Sequence, residues 1–124
     1  PWTTLNAINL NTGDYEWSIP LGNYPHLQEK GEPETGSEGN TGPIVTAGGL
    51  VFIGANMGAN NFKFRAYDKD SGELLWDTQI PANTTSNAST YLSGKKQYIA
   101  VSVAGDLTNP AGYIMVYALF DKKK

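Results

Sequence analysis

The sequence contains no cysteine and one histidine, His26. The absence of cysteine excludes a disulfide framework, a thiolate nucleophile and any metal site built on sulfur. A catalytic triad or a histidine-based metal site would have to be built around His26, which lies in the loop-like residues 23–33. We therefore interpret His26 as a surface residue.

Clusters of positive charge and long apolar runs are also missing. The formal net charge is −3, and the one basic run is residues 122–124. Because phosphate binding requires clustered Lys and Arg, this composition argues against a nucleic-acid partner. No stretch approaches the roughly 18 apolar residues of a membrane span. No basic-then-apolar signal segment is present, and since the sequence begins within a strand-like segment we expect it to be part of a longer chain.

Short apolar segments and turn residues dominate what is present. The sequence has 14 Gly and 7 Pro, and no window of 11 or more residues repeats with the helical period of 3.6. Such a pattern predicts an all-β fold of antiparallel strands joined by tight turns. The predicted strands are residues 4–10, 15–21, 43–48, 50–55, 62–68, 73–80, 89–93, 97–104 and 113–120.

One pattern occurs twice, as AINLNTGDYEW at residues 7–17 and as AYDKDSGELLW at residues 66–76. Each copy reads as a strand that begins with Ala, a polar turn closed by Gly and a second strand that ends with Trp. A hairpin precedes the second copy and a similar hairpin follows it. We predict a repeating unit of four strands, A to D, which is the signature of a β-propeller blade, since one small sheet cannot bury both of its faces.

The sequence therefore predicts a partial β-propeller of about two to two and a half blades in a single domain. Residues 1–21 form strands C and D of one blade, residues 43–81 form one complete blade, and residues 88–120 form strands A to C of the last blade. An open set of blades exposes two flat apolar faces. We expect these faces to bind either the remaining blades of a longer chain or a second copy of this chain.

Residues 68–72, DKDSG, have some likeness to a calcium-binding loop. An EF-hand loop has Gly at position 6 and Glu at position 12, whereas here Gly72 stands at position 5 and Gln79 at position 12. We interpret the segment as a hairpin turn with Gly72 in the left-handed conformation.

These segments together resemble one protein family. The two Ala-to-Trp repeats are similar to the tryptophan-docking repeat of the quinoprotein dehydrogenases, eight-bladed propellers that use pyrroloquinoline quinone (PQQ) and a calcium ion. Residues 41–82 resemble the penultimate blade of the glucose, quinate and related polyol dehydrogenases. Residues 94–105 and 113–119 resemble the last blade and the C terminus of the same group.

The resemblance implies that this chain is the C-terminal quarter or so of a bacterial enzyme, periplasmic or extracellular, that oxidises a sugar or polyol in the manner of glucose dehydrogenase. It places the catalytic Asp, the calcium ligands and most quinone contacts in earlier blades. We therefore assign no catalytic residue and no metal ligand here, and expect the isolated chain to be inert and to bind neither PQQ nor calcium.

Two other functions stay open. The chain could be a non-catalytic binding or assembly module that completes its ring by oligomerisation, as repeat units can. It could also be a carbohydrate-binding β module, which rests on aromatic residues such as Tyr24 and Tyr91.

The resemblance also indicates a place for cofactor contacts. In propellers the D-to-A and B-to-C loops share the face at which the funnel to the cofactor opens, and here these loops are residues 22–42, 56–61 and 105–112. Relatives of the methanol-oxidising type have a Trp-Gly-Gly before the strand that corresponds to residues 43–48, with its Trp near the quinone. The matching residues here, which lack the Trp, are Asn40, Thr41 and Gly42, and they are our candidate cofactor-binding residues.

Trp17 and Trp76 could stack on the quinone or pack between blades. A stacking platform is needed once, whereas a packing residue is needed in every blade. The repetition of the Trp therefore favours packing.

Overall fold

The computed structural model describes residues 1–119; Phe120, the end of the last predicted strand, and the basic residues 122–124 lie outside the described residues. Within residues 1–119 the chain forms strands and no helix, so this part holds no helix that could cross a membrane. The strands are β1 (Thr4–Ile8), β2 (Tyr15–Pro20), β3 (Ile44–Val45), β4 (Leu50–Asn56), β5 (Phe62–Asp68), β6 (Leu74–Ile80), β7 (Ser89–Ser93), β8 (Lys96–Val103) and β9 (Tyr113–Ala118).

The strands form three antiparallel sheets in chain order. The first sheet is β1-β2, the second is β3-β4-β5-β6 and the third is β7-β8-β9. Each strand pairs with the next one along the chain, which is the meander that a propeller blade requires. The prediction of an all-β, partial β-propeller fold is confirmed.

Alternation along the strands places one hydrophobic core on each side of the second sheet. Along β4, Val51 and Ile53 are buried against Leu5 of the first sheet. On the other face, Phe64 is packed with Val101 of the third sheet. Burial of each such side chain contributes about 1.5–3 kcal/mol, so both faces of the second sheet are stabilised by a neighbouring sheet.

The repeated tryptophans contact the sheet that follows their own. The Trp17 Nε1 donates a hydrogen bond of 2.9 Å to the carbonyl of Lys69, in the turn between β5 and β6. Gly72 closes that turn with φ of +75°, and a Cβ at this position would lie 2.8 Å from the Trp17 ring. Trp76 meets Tyr117 of β9 edge to face, with ring centroids 5.5 Å apart.

The β5–β6 turn is built around the Asp68 carboxylate. Its Oδ1 accepts hydrogen bonds from the backbone N–H of Asp70 at 2.9 Å and of Ser71 at 2.8 Å, and from the Ser71 hydroxyl. These bonds, led by the one from the Ser71 backbone, lower the pKa of Asp68 below its usual range. The interpretation of residues 68–72 as a hairpin turn is confirmed.

Several predicted strands extend beyond the strands of the structure, and in two of them a turn explains the difference. The strand expected at residues 43–48 is confined to Ile44–Val45 because Thr46 begins a turn, in which the Gly49 N–H donates to the Thr46 carbonyl at 3.0 Å. The strand expected at residues 4–10 ends at Ile8, where the pairing register shifts and Asn9 enters the turn to β2.

Candidate functional site

The connections that leave one end of the three sheets lie together and form a continuous surface, here called the rim. The Asn23 N–H donates to the Asn56 carbonyl at 2.9 Å, joining the loop after β2 to the end of β4. The Ala104 N–H donates to the Asn83 carbonyl at 2.8 Å, joining the loop after β6 to the end of β8. The rim consists of residues 22–42, 57–61, 81–88 and 104–112.

The longest of these connections, residues 22–42 (the rim loop), is held by buried polar groups that are satisfied. The buried Asn23 side chain accepts the Thr35 N–H at 3.0 Å, and the buried Ser37 hydroxyl donates to the Asn56 carbonyl at 2.5 Å. Gly22 has φ of +81°, and a Cβ there would meet Ser37 and Asn56. These hydrogen bonds hold the stretches of the rim loop around Asn23 and residues 35–37 in one conformation.

A charged pair ties the rim loop to the second sheet. Arg65 of β5 is 6% exposed, and its guanidinium donates to both carboxylate oxygens of Glu34, at 3.1 and 3.3 Å, and to the Tyr67 hydroxyl at 3.3 Å. Burial disfavours the charged guanidinium, but the hydrogen bonds to Glu34 and Tyr67 outweigh it and raise the pKa of Arg65. Burial also raises the pKa of Tyr67, with its bond to Arg65 as a partial offset.

The structure brings the predicted site residues Thr41 and Gly42 onto the loop that follows β6. The Thr41 and Thr84 hydroxyls are 2.8 Å apart, and the Gly42 N–H donates to the Asn87 side-chain oxygen at 2.7 Å. Asn40 is exposed, and within residues 1–119 its side chain makes no hydrogen bond. Whether these residues contact a cofactor stays a prediction.

Sequence reasoning missed Thr84 and Asn87, which hold this segment. Thr84 is 4% exposed and lies over Gly54 of β4, where a Cβ would come within 2.2 Å of the Thr84 hydroxyl. A glycine inside a strand often marks such a close approach, so Gly54 was the available signal. No local pattern points to Asn87.

The loop after β8 is shaped by Asp106. Its carboxylate accepts the Thr108 and Asn109 N–H groups, at 2.8 and 2.7 Å, and the Tyr113 hydroxyl. These bonds, the Asn109 backbone bond first, lower the pKa of Asp106. Desolvation and then the bond to Asp106 raise the pKa of Tyr113. The Asp106 carboxylate and the Tyr113 hydroxyl thus form hydrogen bonds within the loop, which gives both groups a structural role.

The chemistry of the rim is hydrogen bonding. The Asn40 amide can donate to a carboxylate or quinone oxygen. Of the paired Thr41 and Thr84 hydroxyls, one donates to the other, so a single O–H remains between them for a further acceptor. Among residues 1–119, no three His, Asp or Glu side chains come close enough together to hold a metal ion. His26 is exposed and lies against Tyr24, with ring centroids 5.9 Å apart.

The chain matches a family of known proteins over most of its length. The sequence model described as the β-propeller domain of PQQ-dependent glucose/ethanol/alcohol dehydrogenases matches residues 1–99. This match covers all of the first and second sheets and the start of the third.

Individual relatives match the whole chain. It is 35% identical to the glycerol dehydrogenase large subunit of Gluconobacter thailandicus, over 100% of this chain and 18% of that protein. It is 33% identical to the quinoprotein glucose dehydrogenase of Escherichia coli, over 99% of this chain and 16% of that protein. It is 31% identical to the quinate/shikimate dehydrogenase (quinone) of Acinetobacter baylyi, over 96% and 16%. The chain thus spans less than a fifth of the length of these relatives.

Proposed function

Since this chain belongs to the PQQ-dependent glucose/ethanol/alcohol dehydrogenase β-propeller family, we propose that it forms the C-terminal blades of a quinoprotein dehydrogenase that oxidises a sugar or polyol. The names of the glycerol and glucose dehydrogenases among its relatives support this substrate class. The chain's part in the enzyme is to pack the last blades and to form a section of the rim around the cofactor.

The observation that carries this proposal is the anchoring of residues 40–42 at the rim. The bonds from Thr41 to Thr84 and from Gly42 to Asn87 fix the backbone there and leave the Asn40 amide exposed. An exposed amide next to an anchored stretch of backbone is suited to a carboxylate or carbonyl oxygen at the edge of PQQ, since the backbone there loses little further entropy on binding. When bound, PQQ supplies the hydride acceptor for the alcohol carbon of the substrate.

The proposal includes three further parts. Calcium is held with PQQ by residues of other blades. The two Ala-to-Trp repeats act as docking motifs, which the contacts of Trp17 and Trp76 with the following sheets support. The enzyme works in the bacterial periplasm or outside the cell, which fractionation of the source cells tests.

The cofactor contact is tested with Asn40→Ala in the full-length protein that carries this chain. We expect the dissociation constant for PQQ to rise about tenfold, the usual scale for losing one hydrogen bond to a charged group. Asn11→Ala, an exposed Asn in the turn between β1 and β2, is the matched control and leaves the constant unchanged. An equal PQQ affinity of the Asn40→Ala protein and the parent would contradict the contact.

The isolated chain of 124 residues is expected to have no dehydrogenase activity. With PQQ and calcium added, it should reduce no redox dye in the presence of glucose, glycerol or quinate, because the proposal places the catalytic group and the metal ligands in other blades. Dye reduction above the level of a protein-free blank would contradict this division of labour.

The second candidate is a non-catalytic module that closes its ring by oligomerisation. It is favoured by the outer face of the third sheet, where Ile114 is 69% and Val116 47% exposed. The intact mass of the natural gene product separates the two functions. A mass several times 13.4 kDa supports the dehydrogenase, and a mass near that value supports the module.

A further inference from the structure

Arg65 is a charged residue at a position where the strand pattern buries its neighbours. It pairs with Ile53 across β4 and β5 and lies on the same face as Tyr67, between the first and second sheets. Tyr67 and Ile53 are 3% and 4% exposed, and Arg65 is 6% exposed. A buried guanidinium is costly unless paired and hydrogen-bonded, so its partners determine whether this position is tolerated.

The charged side chains near Arg65 come from two places. Lys63 and Asp77 belong to its own sheet, whereas Glu34 belongs to the rim loop. Asp77 of β6 lies 3.8 Å from the Arg65 Nε and also 3.8 Å from Lys63. Glu34 comes from the rim loop and makes the two shorter contacts, at 3.1 and 3.3 Å. Within residues 1–119, Glu34 is therefore the group that links the charged row of the second sheet to the rim.

From Glu34 the connection continues through the chain to residues 40–42. Thr35, the next residue, donates its N–H to the Asn23 side chain, and its hydroxyl oxygen accepts the Tyr24 N–H at 2.8 Å. Ser37 follows, with its N–H on the Leu21 carbonyl at 2.9 Å. The Glu34 contact thus comes immediately before the stretch in which the rim loop turns back towards the β6–β7 connection.

We propose that Arg65 is a positioning residue: it anchors the rim loop through Glu34 and so holds residues 40–42 at the rim. It does not touch the cofactor itself. The proposal rests on the proposed function for what residues 40–42 contact, whereas the anchoring is a property of this chain alone. It predicts that loss of the Glu34 charge loosens the rim loop while leaving the second sheet intact.

Hydrogen exchange of the rim-loop amides tests the anchoring without any cofactor. The variant is Glu34→Gln, which keeps the size of the side chain and removes its charge, and the control is Asp70→Asn, which makes the same change in an exposed surface ion pair. We expect the amides of Thr35, Gly36, Ser37 and Gly42 to exchange roughly tenfold faster in Glu34→Gln. The amides of β4 and β5, and all amides of the Asp70→Asn control, should exchange as in the parent.

Two results would overturn the proposal. Unchanged exchange of the rim-loop amides would mean that the ion pair does not hold the loop. Equal acceleration in the loop and in β4 and β5 would mean that Glu34 stabilises the whole fold and has no positioning role. Arg65→Met offers a second route to the same comparison, because Met fills similar space without charge.

The PQQ affinity of the full-length protein separates this proposal from the proposed function. A faster-exchanging rim loop together with a PQQ dissociation constant raised about tenfold in Glu34→Gln supports both. A faster-exchanging loop with unchanged PQQ affinity supports the anchoring and overturns the cofactor contact of residues 40–42.

Discussion

At the scale of single residues, Gly72 ties a turn to an inter-sheet contact. Its φ is +75°, and a Cβ there would lie 2.8 Å from the Trp17 ring; Gly94 has φ of +61° with nothing within 4 Å of its Cβ position. Both glycines share the left-handed backbone, so an alanine at either is strained. We expect Gly72→Ala to lower the free energy of unfolding by about 1–3 kcal/mol more than Gly94→Ala does, as measured by urea denaturation.

The larger loss of stability in Gly72→Ala than in Gly94→Ala should depend on the Trp17 ring. In a Trp17→Ala background the ring is absent, so the difference between the two glycine variants is expected to shrink towards zero. The same loss of stability from both glycine substitutions in the parent would show that the contact between Gly72 and Trp17 carries no strain.

Asp68 gives the β5–β6 turn a dependence on pH. Its pKa is lowered by hydrogen bonds from Ser71 and Asp70, so the folded state favours the carboxylate. The stabilisation is complete above the ordinary Asp value of 3.8 and is lost as the pH falls through the lower folded value. Asp68→Asn keeps an oxygen that accepts both backbone bonds, and we expect it to remove this part of the acid sensitivity.

The measurement is the urea midpoint at pH 5 and near pH 3 for the parent and for Asp68→Asn. Asp14→Asn is the control, because within residues 1–119 the Asp14 carboxylate accepts no hydrogen bond. If the midpoint of Asp68→Asn falls with pH as steeply as that of the parent, the turn is not responsible.

At the scale of secondary-structure elements, Gly54 controls how closely the loop after β6 approaches β4. A Cβ at Gly54 would come within 2.2 Å of the Thr84 hydroxyl and 2.6 Å of its methyl group. Gly54→Ala is expected to cost about 1–3 kcal/mol and to displace residues 81–88 together with Thr41. Gly48→Ala, whose Cβ would have no neighbour closer than 3.9 Å, should leave stability nearly unchanged.

The displacement is read from the NMR shifts of the Thr41 and Gly42 amides. They should move in Gly54→Ala and stay in place in Gly48→Ala. Unmoved amides, combined with a loss of stability, would mean that the segment holding residues 40–42 does not depend on Thr84.

The alternation of apolar and polar residues predicted the strands well, because burial of one face of a strand imposes that alternation. The pattern of residues 50–55 and 62–68 corresponds closely to β4 (Leu50–Asn56) and to β5 (Phe62–Asp68), whose side chains face two different cores. The predicted ends of β1 and β3 were wrong, because hydrogen bonds in the turns at Asn9 and Thr46 end the strand pairing there. Local apolar patterns do not encode those bonds.

The sequence proposed three residues of the candidate site, and their contact with a cofactor stays a prediction. The resemblance pointed to Asn40, Thr41 and Gly42, but their partners could not be deduced, because the bond from Thr41 to Thr84 joins residues 43 positions apart. The pair of Glu34 and Arg65 is likewise non-local. A charged residue at a core-facing position of β5 was a signal for it, since alternation puts Arg65 on the face of Tyr67.

At the scale of the whole molecule, the outer face of the third sheet determines how the isolated chain behaves. Ile114 and Val116 alternate along β9 with Met115, which packs on the core side. Exposed apolar strands of this kind favour association. We expect the isolated chain to self-associate with rising concentration, and Ile114→Asp to weaken that association at least tenfold, to a degree measurable by sedimentation equilibrium.

Leu10→Asp is the control, because Leu10 is 95% exposed in the turn between β1 and β2 and away from that face. A parent chain that stays at 13.4 kDa over the whole concentration range would contradict the prediction. Equal weakening by Leu10→Asp would show that added charge, and not the face, is responsible.

The bond between Trp17 and Lys69 also gives the order of events during synthesis. The Lys69 carbonyl that accepts the Trp17 indole N–H is 52 residues further along the chain. The first sheet is therefore synthesised well before its hydrogen-bond acceptor. This contact of the first sheet with the second therefore forms only after the β5–β6 turn has been synthesised. A pause in translation between these two residues would leave the first sheet with its indole unpaired and part of its apolar surface exposed to chaperones and proteases.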